Sequence, residues 1–461
     1  VDVLAENVER LSELFPDVVA DGAVDFEALR QLLGDAVDDS DERFGLNWHG
    51  KRRARQSALT PSTGTLRPCP DESVDWDTTQ NLMIEGDNLE VLKLLQKSYA
   101  GKVKLIYIDP PYNTGKDFVY PDNFKDSIGN YLALTGQADD EGQKLTSNTE
   151  ANGRFHTDWL NMMYPRLKLA RNLLRQDGLL CVSIDDAEVA HLSALGADVF
   201  GEGSLLARLI WKSKSGGAND STHFAVDHEY VLVFARSPDE VSLNLDPEAI
   251  VTTSYNRSDS NGEFALERLD KQSIRYSKSL DFVITGPDGA NYQPDHKDAE
   301  HPNATWRWSA QTVADRYDEL VFENGHVYTK NYKSSGAVPR SLLVDERFGR
   351  TRTGKTEVST LMGSSVFDNP KPTKLLRHLV RVATGAGDLV MDFFAGSGTM
   401  GHAVVEESAV DGHGRRHVLV QLPQPLDPTN SDQRAAADYC DKLGVPRTIT
   451  ELTKERLRRA G

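Results

Sequence analysis

A ten-residue stretch in the first quarter of the chain decides the fold: Val103-Lys104-Leu105-Ile106-Tyr107-Ile108-Asp109-Pro110-Pro111-Tyr112. Its first six residues are mostly apolar, as in a strand that is buried on both faces of a parallel sheet. The run stops at Asp109, and in such sheets ligands bind beyond the carboxyl ends of the strands. The stretch therefore predicts a parallel α/β sheet with a functional site directly after this strand.

Strand-like and helix-like segments alternate on both sides of this stretch. Apolar runs that predict further strands occupy residues 82–84, 179–184, 230–234, 388–394 and 418–422. Helical spacing of apolar residues predicts a helix over residues 158–174, and Asp177-Gly178 predicts a turn after it. This alternation favours a mainly parallel α/β sheet with helices on both faces.

The four residues that follow the strand can hold a flat base that carries an amine. Asp109 offers a carboxylate acceptor, and Pro111 has no N–H, so the Pro110 carbonyl is left as a second acceptor. Tyr112 adds an aromatic face for stacking. Two acceptors for the two N–H groups would localise the nitrogen lone pair and make the amine a better nucleophile. The alternative is a Pro-rich turn with a surface tyrosine.

A glycine-rich loop follows a later strand: Asp392-Phe393-Phe394-Ala395-Gly396-Ser397-Gly398-Thr399-Met400-Gly401. Its three glycines match the G-x-G-x-x-G spacing of dinucleotide-binding loops. That pattern predicts an acidic ribose ligand about 20 residues further on, and this chain has Gln421 at the end of the next strand. An NAD-dependent oxidoreductase therefore stays open as an alternative at this point.

A second glycine motif, at residues 349–356, matches the G-x-x-x-x-G-K-[ST] pattern of phosphate-binding loops. The residues before it are mostly charged instead of forming an apolar strand, and the stretch after it is short. We therefore expect a basic loop that contacts nucleic-acid phosphates, or a solvated loop, rather than a nucleotide hydrolase. Arg350, Arg352 and Lys355 are the candidate phosphate contacts.

Composition and charge exclude several classes of protein. The 461 residues carry a net charge of −18, so a nucleic acid would have to be bound through local basic segments. Three widely spaced cysteines, without a Cys-x-x-Cys or Cys/His cluster, favour neither disulfides nor a metal site and fit a reducing cytoplasm. We expect no membrane span and no signal peptide. Since residue 1 is not methionine and the chain stops in a helical pattern, we expect sequence to be missing at its ends.

The texture of the sequence divides the chain into four segments. Residues 1–43 predict a small helical N-terminal element that serves packing or dimerisation. Residues 44–237 and 366–461 predict the two halves of the sheet domain. Between them, residues 238–365 are irregular and rich in aromatic and charged residues, which predicts an inserted α+β domain. We expect the long polar stretch 113–155 to be a lid or a binding arm.

Taken together, residues 109–112 and 392–398 resemble the catalytic and cofactor motifs of the amino-methyltransferases of DNA. The catalytic motif comes first in the chain, as in the permuted β group of that family. Flanking segments resemble the modification subunit of type III restriction–modification systems: residues 81–95, 109–118, 159–186, 228–234 and 371–399. The resemblance implies a Rossmann-like, S-adenosylmethionine-dependent methyltransferase sheet with permuted motif order.

The resemblance also implies roles for individual residues. Asp109, Pro110, Pro111 and Tyr112 would form the catalytic motif that holds and stacks a flipped-out adenine for methylation at N6. The cofactor, S-adenosyl-L-methionine, would be bound by Asp87, Lys371, Asp392, Phe394, Gly396, Ser397, Gly398, Thr399 and Gln421. Asp87 would contact the cofactor's adenine amine or instead cap the following helix. Lys371 would lie near the cofactor's carboxylate or be a solvated lysine.

The same resemblance implies double-stranded DNA as the substrate, target recognition by residues 238–365, and a separate restriction subunit; we also expect a homodimer. N4-cytosine methylation stays open because that amine is chemically alike, and methylation of RNA or protein is a further alternative. Cytosine-C5 transfer would require a nucleophilic cysteine in a suitable Pro-Cys motif; Cys69 stands beside proline but lies in a polar linker. A non-catalytic DNA-binding subunit would be expected to lose Asp109 or Tyr112, and both are present.

Overall fold

The fold is described from a computed structural model. It describes residues 3–15, 18–20, 23–33, 45–114, 155–216, 221, 223–249, 254–272, 275–297, 302–333 and 335–461. The lid or binding arm predicted at residues 113–155 falls almost wholly outside these described residues.

Strands and helices alternate over residues 82–212 and again over residues 373–421, as predicted. The strands are β1 (Val19–Ala20), β2 (Ala23–Val24), β3 (Leu82–Glu85), β4 (Val103–Ile108), β5 (Leu174–Ile184), β6 (Leu205–Lys212), β7 (His228–Ala235), β8 (Arg257–Asp259), β9 (Gly262–Arg268), β10 (Asp270–Lys271), β11 (Ile284–Thr285), β12 (Asn291–Tyr292), β13 (Thr305–Trp306), β14 (Leu320–Glu323), β15 (His326–Tyr332), β16 (Leu342–Leu343), β17 (Leu389–Asp392) and β18 (Arg416–Gln421). The helices are α1 (Val3–Leu14), α2 (Phe26–Leu33), α3 (Lys51–Leu59), α4 (Asn88–Tyr99), α5 (Phe155–Leu173), α6 (Val189–Phe200), α7 (Ala310–Asp315), α8 (Thr351–Met362), α9 (Thr373–Ala383), α10 (Thr399–Asp411), α11 (Arg434–Leu443) and α12 (Ile449–Ala460).

An eight-stranded sheet carries the site, with the strand order β16-β6-β7-β5-β4-β17-β18-β3. The five strands from β5 to β3 are parallel to one another, which confirms the predicted parallel α/β sheet. β7 runs antiparallel to both of its neighbours, β5 and β6. Because of this reversal, the first residues of β7, His228 and Glu229, lie at the edge where the parallel strands end.

Helices cover this sheet on both faces, as its apolar strands predict. One continuous core is formed with α4, α5 and α6 and includes Leu92, Trp159 and Leu195. A second core is formed with α9 and α10 and includes Leu379 and Met400. β4 contributes alternate residues to the two cores, which is why it is apolar almost throughout.

The turn predicted at Asp177-Gly178 is wrong. α5 ends at Leu173 and β5 begins at the next residue, so this pair lies inside the strand. The ladder between β4 and β5 changes register here, which accommodates the extra residues. Lys104 Nζ stabilises the irregularity, because it donates to the side chain and the carbonyl of Asp177 at 2.9 and 2.8 Å.

A helix takes the place of the loop predicted at residues 349–356. α8 starts at Thr351, so the motif is helical from its third residue. Gly354 lies against the backbone of residues 370–372, and an added Cβ would come within 2.1 Å of the Pro370 carbonyl oxygen. The glycine therefore serves close packing of a helix, and the prediction of a loop is wrong.

The chain divides into two compact units, Val1–Asn244 with Pro339–Gly461, and Leu245–Val338. The second unit contains the antiparallel sheet β14-β15-β9-β8 and the short helix α7, in agreement with an inserted α+β domain. Trp306 belongs to the hydrophobic core of this unit. Residues 339–365, which the sequence pattern assigns to the insertion, belong to the first unit.

The two helices expected near the N-terminus are α1 and α2, with the short β1–β2 pair between them. Within the part of the chain that the structure describes, no helix combines the length and the apolar character needed to cross a membrane.

Candidate active site

The residues singled out in the sequence meet at one edge of the sheet, where the parallel strands end. β4 ends directly before Asp109, β17 ends at Asp392, and β18 ends at Gln421. Asp87 lies two residues beyond the end of β3. The reversed strand β7 brings Glu229 to the same edge.

A pocket of about 660 Å³ opens at this edge, within the range of roughly 300–1,000 Å³ that is usual for small-molecule sites. Its lining residues are Asp109, Pro110, Pro111, Tyr112, Lys214, Glu229, Thr351, Asn369, Lys371, Phe394, Gly396 and Gln421. The whole Asp-Pro-Pro-Tyr motif and part of the glycine loop therefore face one cavity.

Four side chains form a charged network in the pocket wall. Lys371 Nζ lies 3.0 Å from Asp109 Oδ1 and 3.2 Å from Glu229 Oε2. It also donates to the hydroxyl of Tyr112 at 2.7 Å. The Tyr112 hydroxyl lies 2.9 Å from Asp109 Oδ1 and 3.0 Å from Glu229 Oε2. Lys371 is thus not a solvated lysine, and its predicted contact with a cofactor carboxylate stays a prediction.

Burial and charge set the protonation of this network. Burial raises the pKa of Asp109, although the neighbouring Lys371 opposes the shift. Burial, together with the carboxylates of Asp109 and Glu229, raises the pKa of Tyr112 well above its usual value. Burial opposes the charged form of Lys371, but the same two carboxylates outweigh it and raise its pKa. Tyr112 and Lys371 are therefore the donors of the network.

Hydrogen bonds outside the pocket hold the backbone of the Asp-Pro-Pro-Tyr motif in place. Trp159 is fully buried and donates its indole N–H to the Pro111 carbonyl at 2.7 Å. On the other side of Tyr112, Asn113 adopts the left-handed conformation, with φ 62°. Its side-chain amide donates to the buried carboxylate of Glu188 at 2.5 Å. These two bonds restrict how far the motif can move.

Glu188 is also contacted by two histidines. The Nδ1 atoms of His156 and His191 lie 2.7 and 2.9 Å from its two carboxylate oxygens. The sequence favours no metal site, yet these three side chains bring metal-ligand atoms within 4.8 Å of one another. Hydrogen bonding to a buried carboxylate accounts for this arrangement, because such a group must be paired.

Positive φ angles shape the glycine loop. Gly396 has φ 50°, and Gly398, the N-cap of α10, has φ 77°. Gly401 instead allows close packing, because an added Cβ would lie 2.7 Å from Leu457 Cδ2 and 2.8 Å from Leu419 Cδ1. The three glycines therefore serve the tight turn and the close approach of helix and sheet that nucleotide-binding loops require.

Side chains from β18 and α12 hold the glycine loop in place. Gln421 Oε1 accepts the Gly396 N–H at 2.7 Å, so this side chain supports the loop, and its ribose contact stays a prediction. Thr453 Oγ1 donates to the Gly396 carbonyl at 2.6 Å. Arg456 is fully buried and donates to Ser397 Oγ at 2.8 Å. α12 is thus part of the support of the candidate cofactor site.

Two predicted cofactor residues have structural partners behind the pocket lining. Asp392 accepts the Phe394 N–H at 2.9 Å, and burial raises its pKa well above the usual range. Asp87 caps α4, because its carboxylate accepts the N–H groups of Leu89 and Glu90. The capping alternative for Asp87 is therefore present in the structure, whereas the cofactor contacts of both residues stay predictions.

The three candidate phosphate contacts lie at the start of α8. Arg350 is the N-cap residue, and its guanidinium donates to three backbone carbonyls within residues 344–349, at 2.7 to 3.0 Å. Arg352 and Lys355 are exposed on the helix. Arg350 therefore holds the preceding turn, and Arg352 and Lys355 present their charges at the surface.

Sequence patterns did not single out four residues that line the pocket: Lys214, Glu229, Thr351 and Asn369. Glu229 opens an apolar run that is recognisable as a strand. Its place in the pocket depends on the antiparallel direction of β7, which the period of a strand does not encode. Asn369 could have been predicted from the sequence, because it lies two residues before Lys371. In the structure its φ is 48°, a left-handed conformation that suits asparagine.

Comparison with known proteins decides the family. The profile of N6_N4_Mtase, described as DNA methylase, matches residues 103–409, well over half of the chain. The chain belongs to this family of DNA methylases. The methylase is 32% identical over 465 residues to the type III restriction-modification enzyme StyLTI Mod subunit of Salmonella typhimurium, covering 96% of this chain and 67% of that relative. It is also 32% identical over 470 residues to the EcoPI Mod subunit of Escherichia phage P1, covering 95% and 71%.

These relatives show that the methylase belongs to the family of Mod subunits, as the resemblance of its flanking segments implies. Among solved structures, the PvuII DNA methyltransferase (cytosine-N4-specific) aligns over 83% of this chain and 94% of its own, with 14% identity and a TM-score of 0.38. Membership of the DNA methylase family also decides against the oxidoreductase alternative that the glycine loop had left open.

Proposed function

We propose that this DNA methylase transfers a methyl group from S-adenosylmethionine to the N6 amine of a flipped-out adenine in double-stranded DNA. One observation supports the proposal most strongly. A single pocket is lined by the complete Asp-Pro-Pro-Tyr motif and by Phe394, Gly396 and Gln421 of the candidate cofactor site. A methyl transfer requires the donor and the acceptor to share one cavity, because the nitrogen must approach the methyl carbon in line.

The residues of the glycine loop fit the proposed cofactor. Gly396 lines the pocket, and an added Cβ would meet only the Phe394 carbonyl oxygen, at 3.8 Å. The backbone therefore offers an open cradle that a side chain would occupy. Phe394, Gly396 and Gln421 would hold the cofactor. The contact of Lys371 with the cofactor's carboxylate is not part of this proposal, because Lys371 is already paired with Asp109 and Glu229. When bound, S-adenosylmethionine supplies an electrophilic methyl group.

The catalytic motif would hold the adenine. A base in the duplex cannot reach the pocket, so the adenine must leave the stack, which costs a few kcal/mol. Tyr112 would offset part of this cost by stacking on the base. Asp109 and the Pro110 carbonyl would accept the two N–H bonds of the amine. The amine must lose one proton after the transfer, and the raised pKa of Asp109 makes its carboxylate a better proton acceptor than an ordinary aspartate.

The proposal extends to location, assembly and partners, and the names of the Mod-type relatives support only its restriction–modification part. The methylase would act on double-stranded DNA in the cytoplasm, as a homodimer, and pair with a restriction subunit of a type III system. Target recognition would lie in the inserted unit, Leu245–Val338, and residues of α8 would contribute phosphate contacts. The sequence-based assignment placed these contacts in a loop of the inserted domain, whereas α8 is a helix of the first unit.

N4-cytosine methylation is the second candidate, since the exocyclic amine of cytosine presents the same two N–H groups to Asp109 and Pro110. The two functions differ in the base that carries the methyl group. Cytosine-C5 chemistry is not supported, because no cysteine is among the described residues that line the pocket, and burial raises the pKa of Cys181 to about 12.

The proposal can be tested with purified protein, DNA of mixed sequence and S-adenosylmethionine that carries an isotopic label on its methyl group. The DNA is then digested to nucleosides and analysed by mass spectrometry. We expect labelled N6-methyladenine. Labelled N4-methylcytosine would select the second candidate, and absence of label from the DNA, with cofactor binding intact, would refute both.

A further inference from the structure

We infer that Glu229 is a positioning residue for the proposed methyl transfer, because it draws Lys371 and the Tyr112 hydroxyl away from Asp109 when the target amine arrives. The inference rests on the proposed function. Glu229 lies outside the Asp-Pro-Pro-Tyr motif, 117 residues from Tyr112 in sequence, and reaches the pocket from the start of β7.

The pocket wall poses a problem for the proposed acceptor. Asp109 Oδ1 already receives Lys371 Nζ at 3.0 Å and lies 2.9 Å from the Tyr112 hydroxyl. An amine that binds this oxygen therefore shares it with an ammonium and a phenol, which take up its lone pairs first. Because hydrogen bonds from a charged donor are the stronger ones, a neutral amine alone would lose to Lys371.

Glu229 offers both donors a second place to bind. Its Oε2 atom lies 3.0 Å from the Tyr112 hydroxyl and 3.2 Å from Lys371 Nζ, nearly the same distances as for Asp109. The Tyr112 hydroxyl has one proton, so it can donate to only one of the two carboxylates at a time. Transfer of these bonds to Glu229 needs only small movements and leaves Asp109 Oδ1 free to accept the amine.

Among the residues that the structure describes, the carboxylates paired with Lys371 are those of Asp109 and Glu229. Its side chain is 10% exposed, and its ammonium lies 4.9 Å from the ring centre of Tyr112 and 5.8 Å from that of Trp211. A buried ammonium without a carboxylate is costly, so loss of the Glu229 charge would leave Lys371 bound to Asp109. Glu229 itself is held by the ladder between β6 and β7, where it pairs with Trp211.

The charge of Glu229 also acts on Asp109 directly. Among the described residues, the titratable groups that interact with Asp109 include Tyr107 on β4, Tyr112, Glu229 on β7, Lys371 and Asp392 on β17. Lys214 lines the same pocket. Burial raises the pKa of Asp109 most, and the negative charge of Glu229 adds to the shift against the effect of Lys371. Removal of this charge lowers the pKa of Asp109, and the acid limb of the rate profile should move to lower pH.

The test compares Glu229→Gln, Glu229→Asp and the matched control Glu202→Gln, a change at an exposed glutamate outside the pocket. Single-turnover methyl transfer is measured as a function of pH, together with calorimetric binding of S-adenosylmethionine. We expect Glu229→Gln to lower the rate by about 10- to 100-fold, the range for residues that support ligands from behind. The fall of its single-turnover rate at acid pH should occur at lower pH than in the wild type. Its affinity for S-adenosylmethionine should equal that of the wild type. Glu229→Asp should recover part of the rate.

A coupled variant separates positioning from a structural role. In a Lys371→Met background there is no ammonium to draw away, so Glu229→Gln should cost much less than in the wild type. An equal cost in both backgrounds, a wild-type rate for Glu229→Gln, or an unmoved acid limb would overturn the inference while leaving the proposed function intact. If the wild-type protein transfers no methyl group to DNA, the proposed function fails, and the inference fails with it.

Discussion

Asp109 is the residue on which the proposed chemistry depends most. Asp109→Ala removes an acceptor of the target amine and leaves the rest of the motif in place. We expect the methylation rate to fall by roughly 10²- to 10³-fold, as for loss of one preorganised polar group in an active site. Binding to DNA should be nearly unchanged, which a gel-shift titration with the variant would check. A near wild-type rate would show that Asp109 does not contact the amine.

The protonation of Asp109 predicts the pH dependence of the wild type. Only the carboxylate form accepts the amine, and burial raises the pKa of this group above that of an ordinary aspartate. The rate should therefore fall as the pH drops through the raised pKa, above the usual value of about 3.9. Single-turnover rates across the acid range measure this limb. A limb at or below the usual pKa would contradict the raised pKa of Asp109 in the working site.

At this scale the sequence predicted the motif but only part of its surroundings. Asp109 and Tyr112 were found because they directly follow a recognisable strand. Glu229 could not be found in the same way, because its role depends on the direction of β7 and on contacts between residues that are far apart in sequence. The role of Gln421, which supports the glycine loop 25 residues away, depends on such a contact as well.

At the scale of the elements, we predict that α12 supports the candidate cofactor site, although α12 does not line the pocket. Thr453→Val keeps the shape of the side chain but removes the 2.6 Å hydrogen bond to the Gly396 carbonyl. A lost hydrogen bond of this kind is worth about 1 kcal/mol, so the affinity for S-adenosylmethionine should fall about fivefold by calorimetry. The exposed Thr63→Val is the control. Unchanged affinity in Thr453→Val would show that α12 does not support the loop.

A second prediction concerns α8 and the dependence of DNA affinity on salt concentration. Arg352 and Lys355 are exposed on a helix whose first residue, Thr351, lines the pocket. If both contact DNA phosphates, Arg352→Ala with Lys355→Ala should weaken binding to all sequences. The plot of log affinity against log salt should also flatten by roughly one unit per lost contact.

The control for α8 removes two charges at the opposite edge of the sheet, with Lys97→Ala and Lys102→Ala. Lys97 lies in the last turn of α4, and Lys102 precedes β4. Equal salt slopes for the wild type and the α8 variant would leave α8 a solvated surface helix. Specificity lost at a single base position would instead indicate contact with a base edge.

On the scale of the whole molecule, the inserted unit is expected to carry recognition of the target. An antiparallel bridge between Asp246 and Ala337, with N–O distances of 2.8 and 3.0 Å, brings its two ends together. Replacement of residues 245–338 by a short Gly-Ser linker should therefore preserve S-adenosylmethionine binding and abolish site-specific methylation of DNA. An unchanged pattern of methylated sites in the excised protein would place recognition elsewhere.

The overall architecture was predictable where the spacing of apolar residues and the turn residues indicate the same element boundaries. Apolar strands that stop at acidic or glycine-rich turns predicted the parallel sheet and its functional edge. The boundary of the insertion was less predictable, because residues 339–365 are as polar as the inserted unit but contribute β16 and α8 to the first unit. Composition reports solvent exposure and does not report which unit a segment packs against.

The central claim is tested most directly by single-molecule sequencing of genomic DNA from cells that carry the wild-type gene, the Asp109→Ala gene or no copy. We predict modified adenines in one short recognition sequence, present only with the wild-type gene. Modified cytosines at that sequence, or an identical modification pattern in all three strains while the protein is expressed, would contradict the assignment of adenine methylation to this pocket.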